Sequence, residues 1–269
     1  MLIAVTRPVS PSIARCELTH LEREPIDVAR AIAQHAEYER RLGALGATLV
    51  RVSAAPEFPD AVFIEDTAVV LDEVAVLARP GAPSRRGETA PVSEVLARYR
   101  PLLSLEAPAT LDGGDVLRLG RTLYVGRSER TNAEGIEALE RLTAPFGYCV
   151  APVEFSGCLH LKSAATELAD ELLLIHPGWV SANAFPDHEA VTIDEREPYG
   201  ANALRVGSSI LYSSQYPRTR DRLTSRGLKF ECVDSTELAK AEGALTCCSL
   251  LFEVSASSPG GGSAEPHPR

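Results

Sequence analysis

The chain has 269 residues, 45% hydrophobic and 24% charged, enough to bury the core of one or two domains. Its formal net charge of -10 argues against nucleic acid or an anionic membrane as the main partner and is compatible with a cationic small substrate. Six cysteines without a C-x-x-C pair, no apolar run near the roughly 20 residues of a membrane-spanning helix, and an opening MLIAVTRPVS that lacks the regions of a secretion signal point to a reduced, cytoplasmic, soluble protein.

The first clear element is a helix from about Asp27 to Leu45, with Asp27 as its cap, Val28, Ile32 and Leu42 in its apolar stripe, and Gly46 to end it. His35 on that helix reads as structural or exposed. Short β-like segments then recur: LVRVS from Leu49, LLSLE from Leu102, CVAPVE from Cys149, AVTID from Ala190 and FECVD from Phe230. After each comes a polar or small-residue motif and a second β-rich run: DTAVVL, DVLRLGRTLYVG, AATELADELLLIH, ANALRVGSSILYS and TCCSLLFEV. The period of roughly 40 to 50 residues is that of repeated supersecondary units. Helices fit between some units, in TNAEGIEALERLTAPFG and PRTRDRLTSRG. Five such modules can close into a ring with their polar motifs aimed at a shared centre; a plain two-layer α/β domain is the alternative. The folded domain is expected over residues 1–254. Residues 255–269, SASSPGGGSAEPHPR, carry too little apolar area to offset their ordering entropy and read as a disordered tail.

Four polar motifs hold the residues able to do chemistry. PDAVFIEDTAVV gathers Asp60, Glu65 and Asp66 around Phe63 and Ile64 within a β-forming run, where acids are costly to bury unpaired. They form either solvated or salt-bridged surface, or a pocket for a cation such as guanidinium, whose N–H groups match carboxylate oxygens in pairs. In ATLDGGDVLRLG, Asp112 and Asp115 flank two glycines that permit close approach; a simple turn is the other reading, and no nucleotide-binding loop is present. In GCLHLKSAA a strand would put Cys158 and His160 on one face. In EGALTCCSLLFEV a strand would put Cys247 with Leu245 and Ser249 on one face, and Cys248 with Thr246 and Leu250 on the other. Three readings of these thiols stand: small buried hydrophobes, a zinc site with Cys158 and His160, or a nucleophile served by a histidine and an orienting carboxylate. Arg85, Arg86 and Arg130 are either solvated or hold the α-carboxylate of a zwitterionic substrate.

In this order PDAVFIEDTAVV, RPGAPSRR, LDGGDVL, SERTN, LHLKS and EGALTCCS resemble the dimethylarginine dimethylaminohydrolase family. That family lies within the guanidine-modifying superfamily, alongside arginine deiminase and the amidinotransferases. The resemblance spans about Arg7 to Val254. It implies a five-module α/β propeller, the pentein fold, with pseudo-fivefold symmetry and a central active site. Carried over by position, Cys247 is the nucleophile, His160 the general acid/base and Asp112 its orienting partner. Asp60, Glu65 and Asp66 bind the guanidinium, with Phe63 beside them, and Arg85 and Arg130 hold the α-carboxylate. Leu18, in ARCELTH, belongs to a lid, and Ala241 offers its carbonyl to the α-amino group. Lys162 stands where arginine deiminase-like relatives often carry the acid of an H-x-D motif, which favours the methylarginine branch. The implied reaction converts asymmetric dimethyl- or monomethyl-L-arginine to L-citrulline and an amine, with no metal or organic cofactor. A divalent metal on Cys247 and His160 would inhibit. The small-molecule partner is a cationic amino acid; neither nucleic acid nor membrane is expected as a partner, and protein partners are left unassigned. A deiminase of unmethylated L-arginine and an inactive cationic amino-acid binding protein remain as alternatives.

Overall fold

The chain opens with a strand, β1 (Leu2–Thr6), whose Ile3, Ala4 and Val5 are fully buried. This computed structural model describes residues 1–254; the segment 255–269, expected as a tail, lies outside the described residues. α1 (Val28–Ala44) starts where the Asp27 side chain accepts the Arg30 N–H. Its buried face is Ala31, Gln34, His35, Tyr38 and Leu42, a helical spacing of three and four. Of the expected stripe, Leu42 is buried and Val28 packs on the same cluster, whereas Ile32 is 49% exposed, because its neighbour Ala31 takes the buried position. β2 (Thr48–Arg51) then pairs parallel with β1.

Four sheets of one plan follow. In each, two antiparallel strands joined by a short turn are followed by a third strand parallel to the second. They are β3 (Ala68–Val70), β4 (Ala75–Leu77) and β5 (Leu102–Ser104); β6 (Val116–Leu119), β7 (Thr122–Gly126) and β8 (Cys149–Val153); β9 (Ala165–Ala169), β10 (Leu172–Ile175) and β11 (Glu189–Thr192); and β12 (Ala203–Val206), β13 (Ser209–Ser213) and β14 (Phe230–Val233). The parallel step needs a crossover. α2 (Thr89–Leu96), α3 (Ala133–Thr143) and α5 (Pro217–Thr224) supply it in three modules. The single-turn helices α4 (Leu161–Ala164) and α6 (Thr236–Ala239) lie between modules. Long β-rich runs such as DVLRLGRTLYVG thus hold two strands each, and segments such as CVAPVE complete the sheet before them. β15 (Leu250–Glu253) closes the molecule by pairing antiparallel with β1, so the fifth sheet is assembled from both ends of the described chain.

β15 touches β3, β6 touches β9, and β9 touches β12. Residues from these first strands of all five modules line one central channel of about 600 Å³. The architecture is a five-module α/β propeller, with apolar burial divided among five clusters between its layers. Among the described residues no helix is long and apolar enough to cross a membrane.

Candidate active site

The four polar motifs occupy equivalent places, in tight turns immediately before inner strands. Ile64–Thr67 precedes β3, Gly113–Asp115 precedes β6, α4 precedes β9 and Thr246–Cys248 precedes β15. Strand alternation therefore does not sort the side chains as the sequence suggested. Acids, glycines and hydroxyl residues are poor strand formers but fit short helical turns. Repeating that turn around the ring turns distant motifs toward one centre.

Cys247 lies in the last turn, 8% exposed, and its Sγ accepts the Ala244 N–H at 3.4 Å. Cys248 is fully buried and its Sγ donates to the Ala244 carbonyl. From behind, the α1 residue Tyr38 donates to the Leu245 carbonyl at 3.0 Å and hydrogen-bonds Ser249 Oγ at 2.7 Å. Burial, then Glu65 and Asp66, push the Cys247 thiol up to about 12.

His160 caps α4 and is buried. Its Nε2 donates to Asp112 Oδ2 at 3.1 Å, and its Nδ1 stands 3.8 Å from Asp66 Oδ1. Asp112 is itself fixed by the Gly81 N–H at 2.9 Å. Asp115 holds the backbone beside His160 by accepting the Leu161 N–H at 3.0 Å, and is held by the Ser128 and Thr131 hydroxyls of SERTN. Burial opposes the imidazolium, but Asp66, the bond to Asp112 and the charge of Asp115 prevail and raise His160 to about 9. Gly114 is required by this packing: a Cβ there would lie 2.6 Å from His160 Nδ1 and 2.8 Å from Asp66 Oδ1.

The three acids of the first motif separate. Asp66 accepts Arg85 Nη1 at 2.6 Å and the Gly114 N–H at 3.0 Å. Burial would raise its carboxyl, but His160 and Arg85 hold it below the usual carboxylate range. Asp60 accepts the Glu17 N–H on both oxygens, at 3.3 and 3.1 Å. Burial raises it to about 6 against the pull of Arg85. Glu65 is turned away onto Lys162 Nζ at 2.6 Å and Thr246 Oγ1 at 3.0 Å. It lines the central channel and not the cavity beside Cys247.

That cavity is lined by Asp60, Phe63, Asp66, Arg85, Arg130, His160, Ala241 and Cys247, together with Glu17, Leu159, Glu242 and Gly243. Most of the residues singled out in the sequence are thus gathered at one place. Asp112 sits behind His160, and Leu18, half-buried, packs on the apolar cluster containing Cys247 without lining the cavity. Arg85 is already engaged by Asp66, Glu88 and the Asp60 and Phe63 carbonyls. The cavity is small, about 20 Å³, room for about one water.

Several residues here escaped the sequence reading. Asn202, 4% exposed, accepts the Thr246 N–H at 3.2 Å and donates to Thr246 Oγ1 at 3.0 Å and to the Lys162 carbonyl at 2.9 Å. It joins the turn carrying Cys247 to the helix carrying His160, as Glu65 does from the other side. Its only signal was an amide at the motif position of the fourth module, ANALRV. Glu88 gave none, and Glu242 stood only as the first letter of EGALTCCS, with no role attached. The proposed zinc quartet is not assembled: among the described residues the group whose ligand atoms converge, within 4.8 Å of one another, is Asp66, Asp112 and His160.

Residues 17–190 match the family described as N,N dimethylarginine dimethylhydrolase, eukaryotic. The chain is 41% identical to the N(G),N(G)-dimethylarginine dimethylaminohydrolase of Streptomyces coelicolor, over 92% of this chain and 95% of that one. A solved structure of DDAH from Pseudomonas aeruginosa, a cysteine-to-serine variant complexed with citrulline, is 33% identical and superposes with a TM-score of 0.89, covering 93% of this chain and 98% of that one. A histidine-to-glycine dimethylarginine dimethylaminohydrolase, solved as an adduct with S-methyl-L-thiocitrulline, is 33% identical with a TM-score of 0.88 over 94% of this chain and 100% of that one. By turn geometry, motif order and similarity over most of its length, the chain belongs to the dimethylarginine dimethylaminohydrolase family.

Proposed function

We propose that the protein hydrolyses Nω-methylated L-arginine to L-citrulline and methylamine or dimethylamine, with Cys247 as nucleophile. The observation that carries this reading is that Cys247, His160 and Asp66, from three different modules, line one cavity. The similar structures holding citrulline and S-methyl-L-thiocitrulline support the same substrate class.

In the empty site the sulfur is a thiol and the imidazole is protonated at neutral pH. A guanidinium entering beside Asp66 replaces excess negative charge near Cys247 with positive charge, which favours loss of the thiol proton to solvent. The thiolate adds to the guanidinium carbon. His160 gives its proton to the departing amine nitrogen, the C–N bond breaks, and a thiouronium adduct remains. Neutral His160 then takes a proton from water; the hydroxide adds to the same carbon, the C–S bond breaks with the electron pair going to sulfur, and the added hydroxyl loses its proton to the thiolate to leave the citrulline carbonyl. Asp112 keeps the imidazole oriented and charged. Asp60 would serve the substrate's cationic end nearer the loop, Arg130 and Arg85 its α-carboxylate, and the Ala241 carbonyl its α-amino group. Glu65, paired with Lys162, acts as a support and not as a substrate ligand.

The test is citrulline release from asymmetric dimethyl-, monomethyl- and unmethylated L-arginine, with wild type and Cys247→Ala. Turnover of the methylated substrates that vanishes in the variant is expected. Turnover of L-arginine alone would assign the chain to deiminase chemistry, and binding without turnover would make it a binding protein.

A further inference from the structure

The cavity beside Cys247 is too small for any amino acid, so something must move before a ligand enters. One wall residue, Glu17, comes from the segment between the Ile13–Arg15 turn and α1, which has no regular secondary structure and whose positions Glu17, Thr19 and His20 are exposed. Glu17 lines the cavity itself, and His20 and Leu21 line a neighbouring one of about 420 Å³ that shares Leu159, Glu242 and Gly243 with it.

This loop is tied down on both rims. On one, the Glu17 N–H meets Asp60, the Glu17 carboxylate accepts Ser84 Oγ at 2.7 Å, and Arg130 Nη2 donates to Thr19 Oγ1 at 3.1 Å. On the other rim, the Glu242 carboxylate alone accepts three consecutive backbone N–H groups: Thr19 at 3.0 Å, His20 at 2.5 Å and Leu21 at 2.6 Å. Glu242 has φ 56, one of two non-glycine residues with positive φ among those described. A glutamate in that conformation carries backbone strain that glycine would avoid. Its side chain reaches more than 220 positions back along the sequence to the loop.

We infer that Glu242 is the latch of a lid: its carboxylate holds Thr19–Leu21, the stretch that continues from Glu17 at the cavity wall, and so governs access to Cys247. Two ties on the other rim, to Asp60 and Arg130, involve groups that an amino-acid head would take over under the function proposed above, so the Glu242 bonds, with the Ser84–Glu17 bond, stay when a ligand arrives. A lid that keeps its three-fold tie to Glu242 can open and re-seat around a ligand without leaving the site. Glu242 is accordingly a positioning residue that acts through the loop backbone.

The test needs no turnover, so a failed citrulline assay and a failed latch are separate results. Alkylation of Cys247 by iodoacetamide is followed by peptide mass spectrometry on the full chain, with the exposed Cys149 as internal reference. Glu242→Gly removes the carboxylate and also relieves the positive-φ strain, which offsets stability lost with the hydrogen bonds to Thr19–Leu21. It is expected to raise the Cys247 rate about tenfold, the effect of losing even one charge-assisted hydrogen bond, with the Cys149 rate unchanged. The pH midpoint of alkylation should stay put while the plateau rises. In parallel, Glu242→Gln, which keeps one acceptor oxygen, should speed amide hydrogen exchange at Thr19–Leu21. An unchanged Cys247 rate, a shifted midpoint without a higher plateau, or unchanged exchange at those three amides would overturn the latch.

Discussion

Asp112 and Asp66 both lie against His160 but do different work. Asp112 is fully buried, absent from the cavity wall and held by a backbone N–H, so it can act only through the imidazole. Replacing it by Asn keeps the shape and removes the charge. We expect Asp112→Asn to lower kcat for citrulline formation by about 10²-fold, the low end of what a positioned acid/base contributes, with KM little changed. A variant as active as wild type would remove Asp112 from the mechanism. The pairing was legible in the sequence because LDGGDV and LHLKS are distinctive strings. What was not legible is the division among Asp60, Glu65 and Asp66. Adjacent residues in a tight turn project to different sides, and only their partners Glu17, Lys162 and Arg85 reveal which side each takes.

At the level of elements, the recurring device is a polar turn before an inner strand. Two of these turns, those carrying Cys247 and His160, are clamped together: Asn202 and Glu65 each bridge Thr246 and Lys162. Asn202→Ala would leave the Thr246 N–H and the Lys162 carbonyl unpaired in a buried place, costing about 1–3 kcal/mol. The expected outcome is a lower urea midpoint together with a fall in kcat, since the turns carrying Cys247 and His160 lose a common reference. Loss of stability with kcat intact would show the clamp to be structural only. Sequence periodicity found most of the strands, though not β1 or β4, and the helices α1, α3 and α5, but it set the C-terminal cysteines in a strand because Cys, Leu and Phe all suit one. The turn prevails there because the Asn202, Glu65 and Tyr38 contacts, all from distant segments, satisfy its polar groups.

The whole molecule has a ring of small sheets in place of one large core, and its centre is crowded with ionisable groups. His160 is raised from its ordinary 6.5 to about 9 in the folded protein. The stability it contributes is therefore fully present below pH 6.5 and is lost as pH rises through 9, to a total of roughly 3 kcal/mol at most. Asp60 and Asp115, raised to about 6, act in the same direction at lower pH, between their ordinary 3.8 and 6. Urea unfolding of wild type at pH 6.5 and pH 9 should show the midpoint falling, and His160→Gln should flatten that dependence. A midpoint that rises over the same interval would contradict the charge arrangement described for the site.

By itself the sequence determined the module period, the membership of the family and most of the residues that meet at the cavity, because hydrophobic alternation and short polar motifs are local properties carried by adjacent residues. Only the tertiary structure decided that β1 completes the fifth sheet with β15, that Glu65 faces Lys162 instead of the cavity, and that Glu242 reaches back to Thr19–Leu21. Each of those facts is a pairing between segments far apart in the chain, where the choice of partner is made by ring closure and by the cost of leaving a buried charge or N–H unmatched.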